Sequence, residues 1–293
     1  MFLERVINIE NKKYWVWLTL IKINVRKKLE LLEKYKTPEV IYNLSKSKLS
    51  NNNLNDKDIE KILNKEIRID LQKHLEYMKL NNIKIINIFD ENYPKILKQI
   101  YDPPISLYVI GNDKILNENN IAIIGCRECT KYGEKQAKVF SYKLAKENIN
   151  IVSGLAKGVD SYAHIGTLYA NGKTIAVLGN GLDTIYPKEN VDLAKQIIKN
   201  KGCIISEYPL GTKPEKQNFP QRNRIISGIS KGVLVIEAKE QSGTLITVDF
   251  ALEQGRDVFV LPGNIDSINS IGTNKLIQEG AKLVTTYKEI LKY

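Results

Sequence analysis

The order of apolar and polar positions changes character along the chain. From Tyr14 to about His74 apolar residues recur at helical spacing. Trp15, Leu18, Leu20 and Ile21 form one stripe, and Leu29, Leu31, Leu32 and Tyr35 another, with charges between them. Pro38 fits the first turn of a helix holding Val40, Ile41 and Leu44. The polar run Ser45 to Asn55 predicts a loop. Asp56 to Asn64 predicts a short helix with Asp56 as N-cap, and Ile69 to Leu80 a longer one. A small helical bundle is expected over 1–75. From Ile83 the pattern alternates: Ile83, Ile85, Ile86, Ile88 and Phe89 predict a strand, Tyr93-Pro94 and Asp102-Pro103-Pro104 are turns, and Leu107–Ile110 is a second strand ending at Gly111. A domain boundary is therefore expected near residue 76.

After Asn120 short β-branched runs alternate with helix-length amphipathic segments. The runs are Ile121–Ile124, Asn150–Val152, Ile175–Leu178, Cys203–Ile205, Val233–Ile236, Val258–Leu261 and Lys282–Val284. Such alternation predicts a doubly wound, mostly parallel α/β sheet over 76–293, with ligands collecting at the carboxyl ends of the strands. Small and polar residues follow these strands: Gly125-Cys126-Arg127, then Ser153-Gly154 with Lys157-Gly158, Gly179-Asn180-Gly181, Ser242-Gly243-Thr244 and Pro262-Gly263-Asn264. Five such turns on one face make a backbone-lined surface suited to phosphate. Ser153 to Asp160 in particular reads as strand, Gly-rich turn and helix start, an anion-binding corner. The connection from Glu207 to Phe219-Pro220-Gln221 is long, and Arg222-Asn223-Arg224 fall where the next helix begins. Arginines oppose the dipole there unless an anion or a carboxylate such as Glu207, Glu237 or Glu253 joins them.

Charge narrows the choice of anion. A net charge of +11 over 293 residues favours an anionic polymer, with nucleic acid first, though a Lys- and Asn-rich proteome would give the same balance. Lys22, Arg26, Lys27 and Lys28 add a basic run in the helical part, readable as a DNA contact or as a solvated face. Glu4, Arg5 and Glu10 interrupt any signal-peptide core, no apolar run is long enough to span a bilayer, and three cysteines do not suggest a disulfide framework. A cytoplasmic protein with no membrane association is expected.

Several chemistries fail on spacing. Gly125-Cys126-Arg127-Glu128-Cys129-Thr130 is not G-x-G-x-x-G, and Gly172-Lys173-Thr174 precedes a strand where a P-loop would follow one. Cys126-x-x-Cys129 lacks a second pair, and only two histidines are present, so no metal is expected. His164 reads as a buried histidine with a local hydrogen bond. No Ser/His/Asp arrangement emerges.

The runs Ile121–Arg127, Ser153–Asp160 with Ala163-His164, Leu178–Asp183 with Tyr186-Pro187, Phe219–Ile226, Ser242–Thr247, Gly255-Arg256, Pro262-Gly263 and Ser270–Ile277 with Gly280-Ala281 resemble, in order and spacing, the DNA processing protein DprA (Smf) family. The resemblance covers nearly the whole chain. It implies a SAM-like helical N-terminal domain joined to an extended Rossmann fold. It implies a homodimer, formed through the Rossmann domain, that binds single-stranded DNA and loads the RecA recombinase in natural transformation, with no cofactor and no catalysis. Carried over, the phosphate pocket comprises Gly125, Arg127, Ser153, Gly154, Lys157 and Gly158, with Arg222, Asn223 and Arg224 at its wall and Ser242, Gly243 and Thr244 on its far side. Phe219, Tyr132 or Tyr162 would stack bases. Cys126 stands where the family usually has serine and Lys157 where arginine is common, which keeps charge but loses bidentate geometry. No winged-helix domain is expected at the C-terminus. The competing expectation is a nucleoside-monophosphate hydrolase or sensor using Ser242–Thr244 with Glu253.

Overall fold

The computed structural model describes residues 12–292; the stretch holding Glu4, Arg5 and Glu10 lies outside them. Six helices come first: α1 over residues 12–20, α2 Val25–Tyr35, α3 Pro38–Tyr42, α4 Lys46–Ser50, α5 Asp56–Leu63 and α6 Lys65–Leu80. Two expectations change here. The polar run after Leu44 is not all loop, because the Ser45 hydroxyl accepts from the Lys48 amide and starts α4. The N-cap of α5 is Asn55, whose side chain accepts from Asp58 N at 2.9 Å, so Asp56 is already helical. α6 also runs past the expected boundary at 76.

A nine-stranded sheet follows: β1 Lys84–Asn87, β2 Ser106–Gly111, β3 Asn120–Ile124, β4 Asn150–Ser153, β5 Thr174–Val177, β6 Cys203–Ser206, β7 Gly232–Val235, β8 Asp257–Val260 and β9 Lys282–Leu283. Between them run α7 Lys131–Lys146, α8 Val159–Tyr169, α9 Val191–Lys199, α10 Asn218–Gly228, α11 Gly243–Glu253, α12 Ile271–Gln278 and α13 Tyr287–Ile290. The spatial order is β1-β2-β6-β5-β4-β3-β7-β8-β9. β3 to β9 pair in parallel, while β2 is antiparallel to both β1 and β6. This is the expected doubly wound α/β fold, with an antiparallel hairpin added at one edge.

Alternation along the strands divides the core. Ile121, Ile123, Leu234 and Ile236 pack with Phe140, Leu144, Val159 and Ala163 on the face covered by α7 and α8. Ala122, Ile124, Val233 and Val235 face the other side, with Ile225 and Ile226 of α10. That second core is continuous with Trp17, Leu18, Leu32 and Ile62 of the helical part. Each fully buried aliphatic side chain contributes about 1.5–3 kcal/mol. The helices are also tied to the sheet through polar groups: Thr19 Oγ1 and Tyr108 Oη lie 2.5 Å apart, and His74 Nε2 is 3.0 Å from the Leu210 carbonyl oxygen.

From β3 the chain winds outward through β4, β5 and β6, then returns across β3 to lay down β7, β8 and β9. The reversal of strand order therefore falls between β3 and β7. A crevice opens at the carboxyl ends of those two strands.

Candidate nucleic-acid interface

The crevice is an open cleft of about 780 Å³. Gly125, Cys126, Arg127 and Glu128 after β3 form one side, and Lys239, Ser242, Gly243 and Thr244 after β7 form the other. Phe219, Arg222 and Asn223 of α10 close it, with Tyr186 and Lys216 at the rim. Its lining carries four cations (Arg127, Lys216, Arg222, Lys239) and two carboxylates (Glu128, Asp160). Neither carboxylate is free to repel a ligand fully: Glu128 lies 3.5 Å from Lys239, and Asp160 is bonded to backbone amides.

The rim combines charge with aromatic surface. The Arg127 guanidinium lies 5.4 Å from the centroid of the half-buried Phe219 ring, and Tyr186 lies 5.8 Å from that ring, tilted at 34°. Arginine on an aromatic face next to a second ring is a surface for bases and phosphates together. On the far side α11 begins at Gly243. Ser242, its N-cap, makes no side-chain capping bond and its buried Oγ has no partner. The Asn223 amide donates to the Gly243 carbonyl at 3.4 Å, so α10 fixes where the first turn of α11 sits. The amides of that turn and the helix dipole favour an anion.

The Ser153–Asp160 corner behaves differently from the sequence expectation. Its anion is internal: Asp160 Oδ2 accepts from Gly154 N at 3.0 Å and from Ala156 N at 3.4 Å. Burial raises the Asp160 carboxyl above the usual range, opposed by Arg222 and by these amides. Ser153 is buried and its hydroxyl donates to the Ile123 carbonyl at 2.7 Å. Gly158, at φ 76°, lets the turn pass under the 125–127 loop, where any side chain would collide with the carbonyls of Cys126 and Arg127. Lys157 is exposed and pairs with Glu189 at 2.5 Å. Ser153, Gly154 and Gly158 therefore build the support beneath the cleft, Lys157 is paired at the surface, and none of the four lines the cleft.

The two arginines of α10 also separate. Arg222 lines the cleft, but its Nη1 points inward, donating to the carbonyls of Gly154 (2.6 Å) and Val177. Burial lowers its pKa to about 10, with Asp160 opposing and Arg127 adding to the effect. Arg224 does not line the cleft. Its Nε donates to Asp102 at 3.0 Å and its Nη2 to Glu207 at 2.6 Å. Burial lowers its pKa, and these two carboxylates more than offset that. Of the residues expected in the site, Gly125, Arg127, Phe219, Arg222, Asn223, Ser242, Gly243 and Thr244 come together. Tyr186, Lys216 and Lys239 join them without having been singled out as contacts. Tyr132 and Tyr162 line no part of the cleft: the Tyr132 hydroxyl donates to the Pro262 carbonyl, and Tyr162 lies under Lys138.

His164 is buried, with Nδ1 2.7 Å from Thr174 Oγ1, and burial lowers its pKa to about 3, in line with a histidine held by a local bond. Among the described residues no group of three His, Cys, Asp or Glu is placed to hold a metal, and no helix is long and apolar enough to cross a membrane.

Residues 84–293 match the family model described as DNA recombination-mediator protein A. The chain belongs to that family. Among curated relatives it is 48% identical over 205 residues to DNA processing protein DprA of Streptococcus pneumoniae, covering 70% of this chain and 72% of that protein. It is 44% identical over 225 residues to protein Smf of Escherichia coli, covering 77% of this chain but 60% of that protein, so it spans less than two thirds of that relative's length. The X-ray structure of the Streptococcus pneumoniae DprA superposes with a TM-score of 0.76 at 37% identity, covering 96% of this chain and 97% of the other. A Helicobacter pylori DprA structure, described for its single-stranded DNA binding mode, gives 0.65 at 33% identity over 72% of this chain and 94% of the other.

Proposed function

We propose that the cleft between β3 and β7 binds single-stranded DNA. The family member would then act as a recombination mediator that protects the strand and passes it to a RecA recombinase, including strands entering in natural transformation. The observation that carries this reading is the rim itself: Arg127 over Phe219, Tyr186 beside it and the uncapped start of α11 opposite. Phosphates fit the cations and helix amides, and bases of any identity fit the rings, so binding with little sequence preference follows. The described single-stranded DNA binding of the Helicobacter pylori relative supports the assignment. We further assign a homodimer formed through the Rossmann-like part, a cytoplasmic setting and a helical domain that ends near the start of the sheet.

We read the protein as a binder and not as an enzyme. The hydrolase reading needs an acid beside Ser242–Thr244, but Glu253 is exposed at the opposite end of the 11-residue α11, about 15 Å along the helix. The test is oligo-dT binding by fluorescence anisotropy, beside an assay for base release from AMP. The account expects tight oligo-dT binding and no base release. Base release without oligo-dT binding would replace it. Pull-down of RecA by the DNA-loaded protein tests the mediator step, and its absence would reduce the function to strand binding.

A further inference from the structure

Strand directions place a second surface on the same edge of the sheet as the cleft. β6 runs parallel to β5, β2 antiparallel to β6, and β1 antiparallel to β2. β1 therefore ends where the cleft strands end, so the connection 88–105 leaves from and returns to that edge, while its middle crosses to the far end of α10 and the segments before β3 and β8. That connection is fastened to α10, the helix that carries Phe219 and Arg222. Asp102 accepts from Arg224, and Gly228 packs against Leu97 and Ile100.

Two large rings on this connection stand in solvent: Phe89 is 56% and Tyr101 78% exposed. Each carries a cation. The Arg26 guanidinium lies 4.5 Å from the Tyr101 centroid and its Nη1 donates to the Tyr101 carbonyl at 2.8 Å, while Lys98 Nζ lies 5.7 Å from the Phe89 centroid. Among the described residues neither Arg26 nor Lys98 has a carboxylate partner. Of the acids on this connection, Asp102 holds Arg224 and Asp90 accepts the Asn87 amide at 2.9 Å, while the exposed Glu91 pairs with neither cation. Arg26 also sits in the first turn of α2, where the helix dipole adds to its field. The neighbouring lysines of the basic run do not share this role, because Lys27 pairs with Asp58 and Lys28 is buried. Exposed rings with unpaired cations repeat the chemistry of the Arg127–Phe219 rim.

We infer that the Arg26–Tyr101 and Lys98–Phe89 pairs form a second contact for the single strand that leaves the cleft along α10. The inference rests on the proposed strand binding. Asp102 is bonded to Arg224, two residues beyond the cleft-lining Arg222, so the second surface follows the cleft along α10 and a longer strand is needed to engage both.

The experiment compares oligo-dT of about 4 and about 16 nucleotides on the full chain. Tyr101→Ala with Arg26→Ala is expected to weaken binding of the long oligomer about tenfold and leave the short one unchanged, while Tyr101→Phe retains binding because stacking needs the ring and not the hydroxyl. Equal losses at both lengths, or no loss at either, would overturn the second contact. Arg127→Ala separates the two claims. If it weakens both lengths while the Tyr101 and Arg26 changes weaken neither, only this inference fails; if it weakens neither, the cleft reading fails first.

Discussion

Replacing Arg224 with methionine separates architecture from ligand contact. The Arg224 side chain is 3% exposed and joins Asp102 to Glu207, whose side chains are 29% and 15% exposed. Removing one partner of a buried pair costs about 3–5 kcal/mol, because the remaining charges lose their compensation. The partial exposure of Asp102 places Arg224→Met at the lower end, about 3 kcal/mol. With a urea dependence near 3 kcal/mol per molar, the unfolding midpoint falls by about 1 M. Adding Glu207→Gln removes one stranded charge and should recover part of that loss. Affinity for a short oligo-dT of about 4 nucleotides, measured without denaturant where the variant is folded, should stay within about twofold, since the guanidinium does not reach the cleft. An unchanged urea midpoint with a tenfold loss of that affinity would refute this assignment and return Arg224 to the site.

Lys28 gives a pH dependence of defined sign. Burial lowers its pKa from 10.5 to about 7, with Glu207 opposing, so the unfolded chain holds the extra proton between those values. Stability from this group is therefore greatest above 10.5 and is lost as pH falls through 7, a span worth roughly 5 kcal/mol. Lys28→Met should raise the urea midpoint at pH 6.5 and lose most of that advantage by pH 10; an equal gain at both would disprove the burial argument. Gly158→Ala forces a side chain at φ 76° into two carbonyls and should cost of order 1–3 kcal/mol as well as DNA affinity, whereas Gly243→Ala, with nothing within 4 Å, should leave the unfolding midpoint unchanged. Similar midpoints for the two alanine variants would contradict the packing described beneath the cleft.

The sheet was legible because its strands are short, β-branched and separated by amphipathic helices, and every run from Ile121 to Val284 became a strand within about a residue. The helical part was legible in kind but not at its ends. Asn55 and Ser45 cap helices where the pattern suggested Asp56 as the cap and a loop, because side-chain caps are local bonds that apolar periodicity does not register. The site was legible in its loops but not in its division of labour. Arg222, Arg224 and Lys157 look alike in sequence. Only the three-dimensional arrangement shows one donating to sheet-edge carbonyls, one joining two carboxylates and one paired at the surface. The Ser153–Asp160 turn misled for a related reason, since a carboxylate six residues on from Gly154 fills the amides that a phosphate would have used.

The central claim is that a strand lies in the cleft against Arg127 and Phe219. The most direct measurement is oligo-dT affinity against salt for the wild-type chain, Arg127→Ala and Lys157→Ala. The account predicts that Arg127→Ala weakens binding and lowers the log–log salt slope by about 0.7, one phosphate's share on single strands. Lys157→Ala, already paired with Glu189, should change both far less. Equal slopes for all three proteins, or a larger loss at Lys157 than at Arg127, would contradict it.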